Sequence, residues 1–221
     1  MIAAMFSRAL AIGLATGAYG LSFGALAVAA GLSLGQAVAM SAFVFTGATQ
    51  LSVVGALAAG GAAAPAVASG LVLASRHLAY GIAVAPLLPG SRRARQLAAH
   101  LVIDESTAMA RAEPDRRRAL LAFWATGVSV FACWNAATIA GALIGRAIAD
   151  PAALGLDAVF PAAFVALLAP QLATRPARRA AVAGAAIAAA LVPIAPAGVP
   201  MLAAAAVALL LAGRRPIHTE T

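Results

Sequence analysis

The feature that most constrains this chain is the near absence of charge over long stretches. Apolar runs cover roughly 10–30, 36–59, 65–88, 119–145, 154–174, 177–194 and 198–211, and the charges gather in the breaks between them. Charged residues make up 10% of the 221, against about 25% in an ordinary soluble domain. A soluble fold of this size must wet a large surface, and too few charges are present to do so. A soluble enzyme, a disordered chain and a secreted disulfide scaffold are therefore excluded. At about 20 residues per span, the runs predict an all-α, polytopic integral membrane protein of about seven transmembrane helices. The whole chain, 1–221, reads as a single transmembrane domain.

The charges carry topology. All 15 basic residues are Arg, set against 7 acidic ones. Arginines between apolar runs mark cytoplasmic loops rather than a nucleic-acid surface. The single Cys133 forms no internal disulfide. One stretch departs from the pattern: Leu97–Ala110 is 14 residues long and holds Asp104 and Glu105. A run that short is more often re-entrant or interfacial than spanning, and crossing would bury two acids. With 97–110 not crossing, positive-inside counting favours an external N-terminus. Arg8 and Arg146 are then outside, and the arginines of 92–118, 175–179 and 214–215 are inside. Ser41–Leu51 and Ala162–Leu172 share a pattern that includes Phe43/Phe164 and Gln50/Gln171, and Gly24-Ala25-Leu26 echoes Gly141-Ala142-Leu143. These similarities suggest repeat units 10–90 and 119–213, linked by 91–118. The favoured topology inverts one relative to the other, as many secondary transporters do.

Polar residues inside the apolar runs are the candidate chemistry. Gly13, Gly17, Gly20, Gly24, Ala27 and Gly31 lie at spacings of four and three, which puts small residues on one helix face. This reads first as a packing seam, since helices in lipid associate by close backbone approach. Gly20-Leu21-Ser22-Phe23-Gly24 matches the G-x-S-x-G nucleophile elbow, but lacks its strand–turn–helix context. An intramembrane hydrolase pairing Ser22 with His77 is the reading it would support. Gln50 carries a full amide that must face protein or an aqueous cavity. Arg76 sits mid-run beside His77, and an ionisable residue there is a functional hypothesis by default. Its candidate partners are Asp104, Glu105 or a substrate carboxylate. His77, Asp104 and Glu105 are the candidates for proton coupling. No close His spacing supports a metal site, and no cofactor is implied.

Taken in order, these segments resemble the AzlC family, the azaleucine-resistance and branched-chain amino acid permeases. The resemblance rests on Gly20-x-Ser22-Phe23-Gly24-Ala25-Leu26-Ala27, Gly31-Leu32-Ser33, Phe45-x-Gly47-Ala48-x-Gln50, Arg76-His77-x-x-Tyr80-Gly81 and Asp104-Glu105-Ser106. Gly155-Leu156-Asp157, Pro161-x-x-Phe164 and Leu167-Leu168-Ala169-Pro170 extend it. The family usually has Asn where this chain has Ala74, and Thr where it has Ile103. The resemblance implies export of valine- or leucine-like amino acids across the bacterial inner membrane. It also implies a small, separately encoded AzlD-type membrane subunit as partner.

A zwitterion needs a donor for its carboxylate, an acceptor for its ammonium and a pocket for its side chain. Arg76 and broken-helix amides suit the first, Asp104 or Glu105 the second, and small residues around Ser22, Gly24 and Gly47 the third. Gln50, His77, Tyr80 and Ser106 complete the candidate substrate-binding set. The alternatives are a transporter or channel for another small solute, or the intramembrane hydrolase.

Overall fold

The computed structural model describes residues 2–88, 90–147, 165, 169–196 and 199–212. Ten α-helices are described: α1 (Ile2–Ala29), α2 (Leu34–Phe43), α3 (Gly47–Ala58), α4 (Ala63–Ala74), α5 (Arg76–Val84), α6 (Arg92–His100), α7 (Asp104–Arg111), α8 (Arg116–Ala147), α9 (Arg175–Leu191) and α10 (Val199–Ala212). A 3-10 turn, Ala85–Leu87, extends α5. Three stretches are long and apolar enough to cross a membrane: Ile2–Ala29, Ala63–Leu87 and Arg116–Ala147.

The central contact is α1 against α8, the most extensive helix pair. A Cβ placed on Gly13 would meet the Ser129 carbonyl at 2.9 Å, one on Gly20 the Trp134 carbonyl at 2.8 Å, and one on Gly145 the Ala25 Cα at 2.9 Å. Gly24 presses on the Thr138 carbonyl, and Gly141 on that of Leu21. The small-residue face read from the sequence is thus a packing seam on α1, continued by Gly141 and Gly145 on α8. Gly31 is not part of it. It has φ +91° with nothing within 4 Å of a Cβ, and it serves the turn after α1.

The paired positions rise together along both helices, so α1 and α8 are parallel. That fixes the path between them. Four residues after α1, Ser33 accepts from the Gln36 amide in a capping box and starts α2. Ser41 Oγ then donates to Thr138 Oγ1 at 3.1 Å, level with Gly24. Helix α2 therefore runs back from the far end of α1 into the middle. Helix α3 packs antiparallel on α4, with Thr49 Oγ1 donating to the Gly70 carbonyl at 3.2 Å and Ser52 and Ser69 hydroxyls 3.2 Å apart. The span made by α4 and α5 ends where α8 begins, since Arg116 donates to the Leu87 carbonyl at 3.3 Å. That span thus starts at the far end, and α3, four residues before it, returns there. Helices α2 and α3 form a hairpin entering from the far end.

Helices α6 and α7 form a second hairpin, entering from the near end. The tip reaches mid-molecule, with the His100 ring 5.6 Å from that of Phe131 and Leu101 packed on Gly127. Helix α7 then descends to the turn that opens α8. With 10 and 12 residues in one hairpin and 9 and 8 in the other, each leg is roughly 12–18 Å long at 1.5 Å per residue, about half a bilayer core. The two tips meet, with Phe45 and His100 rings 5.9 Å apart.

Three expectations change. The run 36–59 is two half-helices broken at Val44–Thr46, not one span. Units led by α1 and α8 are not inverted relative to each other, because those helices are parallel. The arginine count behind the external N-terminus also changes: Arg8, Arg92, Arg93, Arg95, Arg111, Arg116, Arg117 and Arg118 share the near end with the N-terminus, and the far end carries Arg146. Positive-inside counting on this geometry favours the opposite orientation. Residues 97–110 are not one helix: they hold the end of α6, the turn at 101–103 and most of α7. The second copy of the internal repeat, 162–172, and the predicted span 154–174 lie largely outside the described residues. Helices α9 and α10 pack on each other, with α10 also touching α4.

The seam yields a contrast between two glycines. Gly141→Val is expected to abolish recovery of monodisperse protein in detergent. Gly35→Val, where a Cβ meets nothing within 4 Å, is expected to leave recovery unchanged. Size-exclusion chromatography after membrane extraction reads both.

Candidate functional site

Broken helices at membrane depth are tolerated only when the freed backbone groups find partners. Each break here has its own device. At the α2 end, Gln50 Nε2 lies 3.0 Å from the Met40 carbonyl, with those of Val44 and Ser41 at 3.3 and 3.4 Å. Trp134 Nε1–H donates to Gln50 Oε1 at 2.9 Å, which fixes the amide orientation. At the α7 start, Ser106 Oγ accepts from the Ile103 amide at 3.1 Å and donates to the Leu101 carbonyl at 2.6 Å. Between α4 and α5, Ser75 Oγ donates to the Val72 carbonyl at 2.6 Å, and His77 Nδ1 lies 2.9 Å from the Ala74 carbonyl.

The three breaks converge on one cavity of about 160 Å³, lined by the ionisable Arg76, His77, Asp104 and Glu105 together with Thr16, Tyr19, Phe45–Ala48, Leu51, Ile103, Val130 and Trp134. It receives the first turns of α3, α5 and α7. Thr46 makes no side-chain cap on α3, so the Gly47 and Ala48 amides stand at the cavity wall with the positive end of the helix dipole behind them.

Arg76 Nη2 lies 3.0 Å from Asp104 Oδ2. The Tyr80 hydroxyl donates to Asp104 Oδ1. Both Asp104 oxygens are therefore engaged. The pair is not sealed in protein: the side chains are 37% and 39% exposed, as a cavity-facing pair would be. Glu105 forms no ion pair among the described residues. His77 donates through Nδ1, leaving Nε2 as a buried acceptor without a protein partner, and Arg76 Nε is likewise unpartnered. The His77 and Tyr80 rings meet edge-on at 5.6 Å.

Of the residues named from the sequence, Gly47, Arg76, His77, Asp104 and Glu105 come together at the cavity, and Tyr80 reaches it through Asp104. The others lie elsewhere. Gly24 is packed into the α1–α8 seam, and Ser22 is buried elsewhere on α1; neither is among the residues that line the cavity. Ser22 makes no hydrogen bond to His77 among the described residues, so no nucleophile–base pair is assembled. Gln50 and Ser106 are fully buried and hold the hairpin tips. Asn135 donates to the Phe131 carbonyl at 2.8 Å, within its own helix. Among the described residues no three His, Cys, Asp or Glu cluster as a metal site.

Sequence reasoning missed Phe45, Val130 and Trp134. Apolar residues in an apolar run carry no mark of which ones line a cavity. Only the indole N–H of Trp134, which needs a buried acceptor, was a usable signal.

The model of the AzlC protein family matches residues 11–148. The chain belongs to the AzlC family. The match runs from the first third of α1 to the end of α8, so it covers both hairpins and all three long spans, and stops before α9. This is a transport-associated family of membrane proteins. Comparison with curated proteins and with solved structures finds no match.

Gln50→Leu is expected to strip the side-chain donor from the carbonyls of Ser41 and Val44, leave that of Met40 with the Val44 amide alone, and remove the acceptor from Trp134. Each buried group left unpaired costs about 1–3 kcal/mol, so the detergent-solubilised variant should lose several degrees in Tm. His77→Gln, which leaves the hairpin caps intact, should change Tm little.

Proposed function

We propose that this AzlC-family protein is the large subunit of a secondary exporter of branched-chain amino acids in the bacterial inner membrane. The observation that carries the reading is the cavity itself. It lies where the two hairpin tips meet and is lined by both ionic and apolar side chains. A volume near 160 Å³ is close to the roughly 150 Å³ that houses a benzene-sized guest. It suits a single small amino acid, not a peptide or nucleotide.

The roles follow from which valences are free. The substrate carboxylate has Arg76 and the uncapped amides of Gly47 and Ala48, the arrangement expected of broken helices in transporters. Both oxygens of Asp104 are occupied by Arg76 and Tyr80, so Glu105 is the acceptor for the ammonium. Phe45, Leu51, Ile103, Val130 and Trp134 receive the aliphatic side chain. His77 and Glu105 are the proton-coupling groups, with Asp104 taking up a proton when a substrate carboxylate displaces it from Arg76. The sequence has no nucleotide-binding loop, in keeping with a gradient-driven process. The small AzlD-type membrane protein is the expected partner.

The test is efflux of labelled valine and leucine from preloaded cells, with and without the small partner. Hydrogen bonds to charged groups contribute about 1.5–3 kcal/mol, so Arg76→Ala and Glu105→Gln should each slow efflux by at least about tenfold at normal membrane levels. Wild-type rates in both variants would refute the site, and competition by an unrelated solute but not by valine would refute the substrate class.

A further inference from the structure

We infer that Trp134 is the residue that sets the upper size of the substrate side chain, an inference that rests on the transport reading above. The indole is held on three sides. Its N–H donates to Gln50 Oε1 at 2.9 Å. Its ring stacks on Phe23, centroid to centroid 6.3 Å, with the planes 24° apart. Its six-membered edge abuts the backbone of Gly47, where a Cβ would come within 2.6 Å of Cη2. Only 6% of Trp134 is exposed, yet the ring lines the cavity.

A wall pinned in this way cannot swing aside to admit a larger guest. Of the other apolar wall residues, Leu51 and Val130 are aliphatic, and Phe45 is held by ring contacts to His100 and Phe131 at 5.9 and 5.0 Å but by no hydrogen bond. The pinning also explains why a polar amide and a tryptophan meet in the middle of the membrane. Gln50 caps α2 and orients the indole with the same side chain. The hairpin tip and the size limit are therefore one unit, and Gly47 is the only residue type that lets the tip approach the ring.

The rule predicts the sign of each substitution. Trp134→Phe removes part of the ring and the N–H, lengthening the apolar end of the cavity. Leu51→Ala enlarges the same end and leaves the Trp134–Gln50 bond in place, so it serves if Trp134→Phe does not fold. A methylene in an apolar pocket changes discrimination about 10–200-fold.

The experiment is binding of valine, leucine and phenylalanine to purified full-length protein, read as ligand-induced stabilisation. Wild type is expected to bind valine and leucine well and phenylalanine poorly. In Trp134→Phe the phenylalanine-to-valine affinity ratio should rise at least about tenfold, and in Leu51→Ala in the same direction by less. Wild-type ratios in Trp134→Phe, or in Leu51→Ala where the first does not fold, would overturn the size rule alone. No binding of any of the three by folded wild type would overturn the amino acid reading and the size rule with it.

Discussion

Two helices that cross a bilayer in the same direction must be joined by an odd number of crossings. The α1–α8 seam imposes that condition here, because its glycines bring two backbones together with their positions rising in step. In lipid, apolar side chains gain nothing by leaving their neighbours, so close backbone approach is what holds helices together. Glycine at Gly13, Gly20, Gly24, Gly141 and Gly145 supplies it. Of the three segments between the paired helices, Ala63–Leu87 crosses and the other two enter and turn back. An odd number allows one crossing or three, and the return of α2 and α3 and the tip contacts of α6 and α7 select one.

Turning back inside a membrane exposes backbone groups, and the chain satisfies them from side chains. Gln50 serves the carbonyls that α2 leaves, and Ser106 serves both sides of the break before α7. Of the groups that stay unsatisfied, the start of α3, Arg76 Nε and His77 Nε2 border the cavity, while the buried hydroxyls of Thr107, Thr126 and Ser129 do not. The same breaks that cost hydrogen bonds thus supply the polar lining, and Phe45, Leu51 and Ile103 with Val130 and Trp134 of α8 supply the apolar one. Function is concentrated where secondary structure is interrupted.

The sequence was unevenly informative for physical reasons. The hairpin over 97–110 was legible because Asp104 and Glu105 make a crossing costly and the apolar run is short. The hairpin over 34–58 was not. Its break at Val44–Thr46 contains no Gly, Pro or charge, and the cap, Gln50, lies in the half-helix beyond the break. Arg76 stood out for its charge, and its pairing with Asp104 was among the alternatives weighed. The division of labour between Asp104 and Glu105 needed the geometry of Tyr80. Ser22 and Gly24 looked like site residues because they sit in a motif; Gly24 belongs to the seam, and Ser22 is buried on α1 away from the cavity lining. Arginine counting favoured the other orientation because it assumed that 36–59 crosses. Once it does not, the arginines of the N-terminus, 92–95 and 111–118 fall on one side.

The central claim is that both hairpins return to the side they enter from. It is tested by cysteine accessibility in a Cys133→Ala background, using a membrane-impermeant maleimide on intact cells and on inverted vesicles. The account predicts that Gly61→Cys is labelled from outside, and that Ala3→Cys, Ser91→Cys and Glu113→Cys are labelled only from the cytoplasmic side. Labelling of Gly61→Cys and Glu113→Cys from the same side, or of Ala3→Cys from outside, would contradict it.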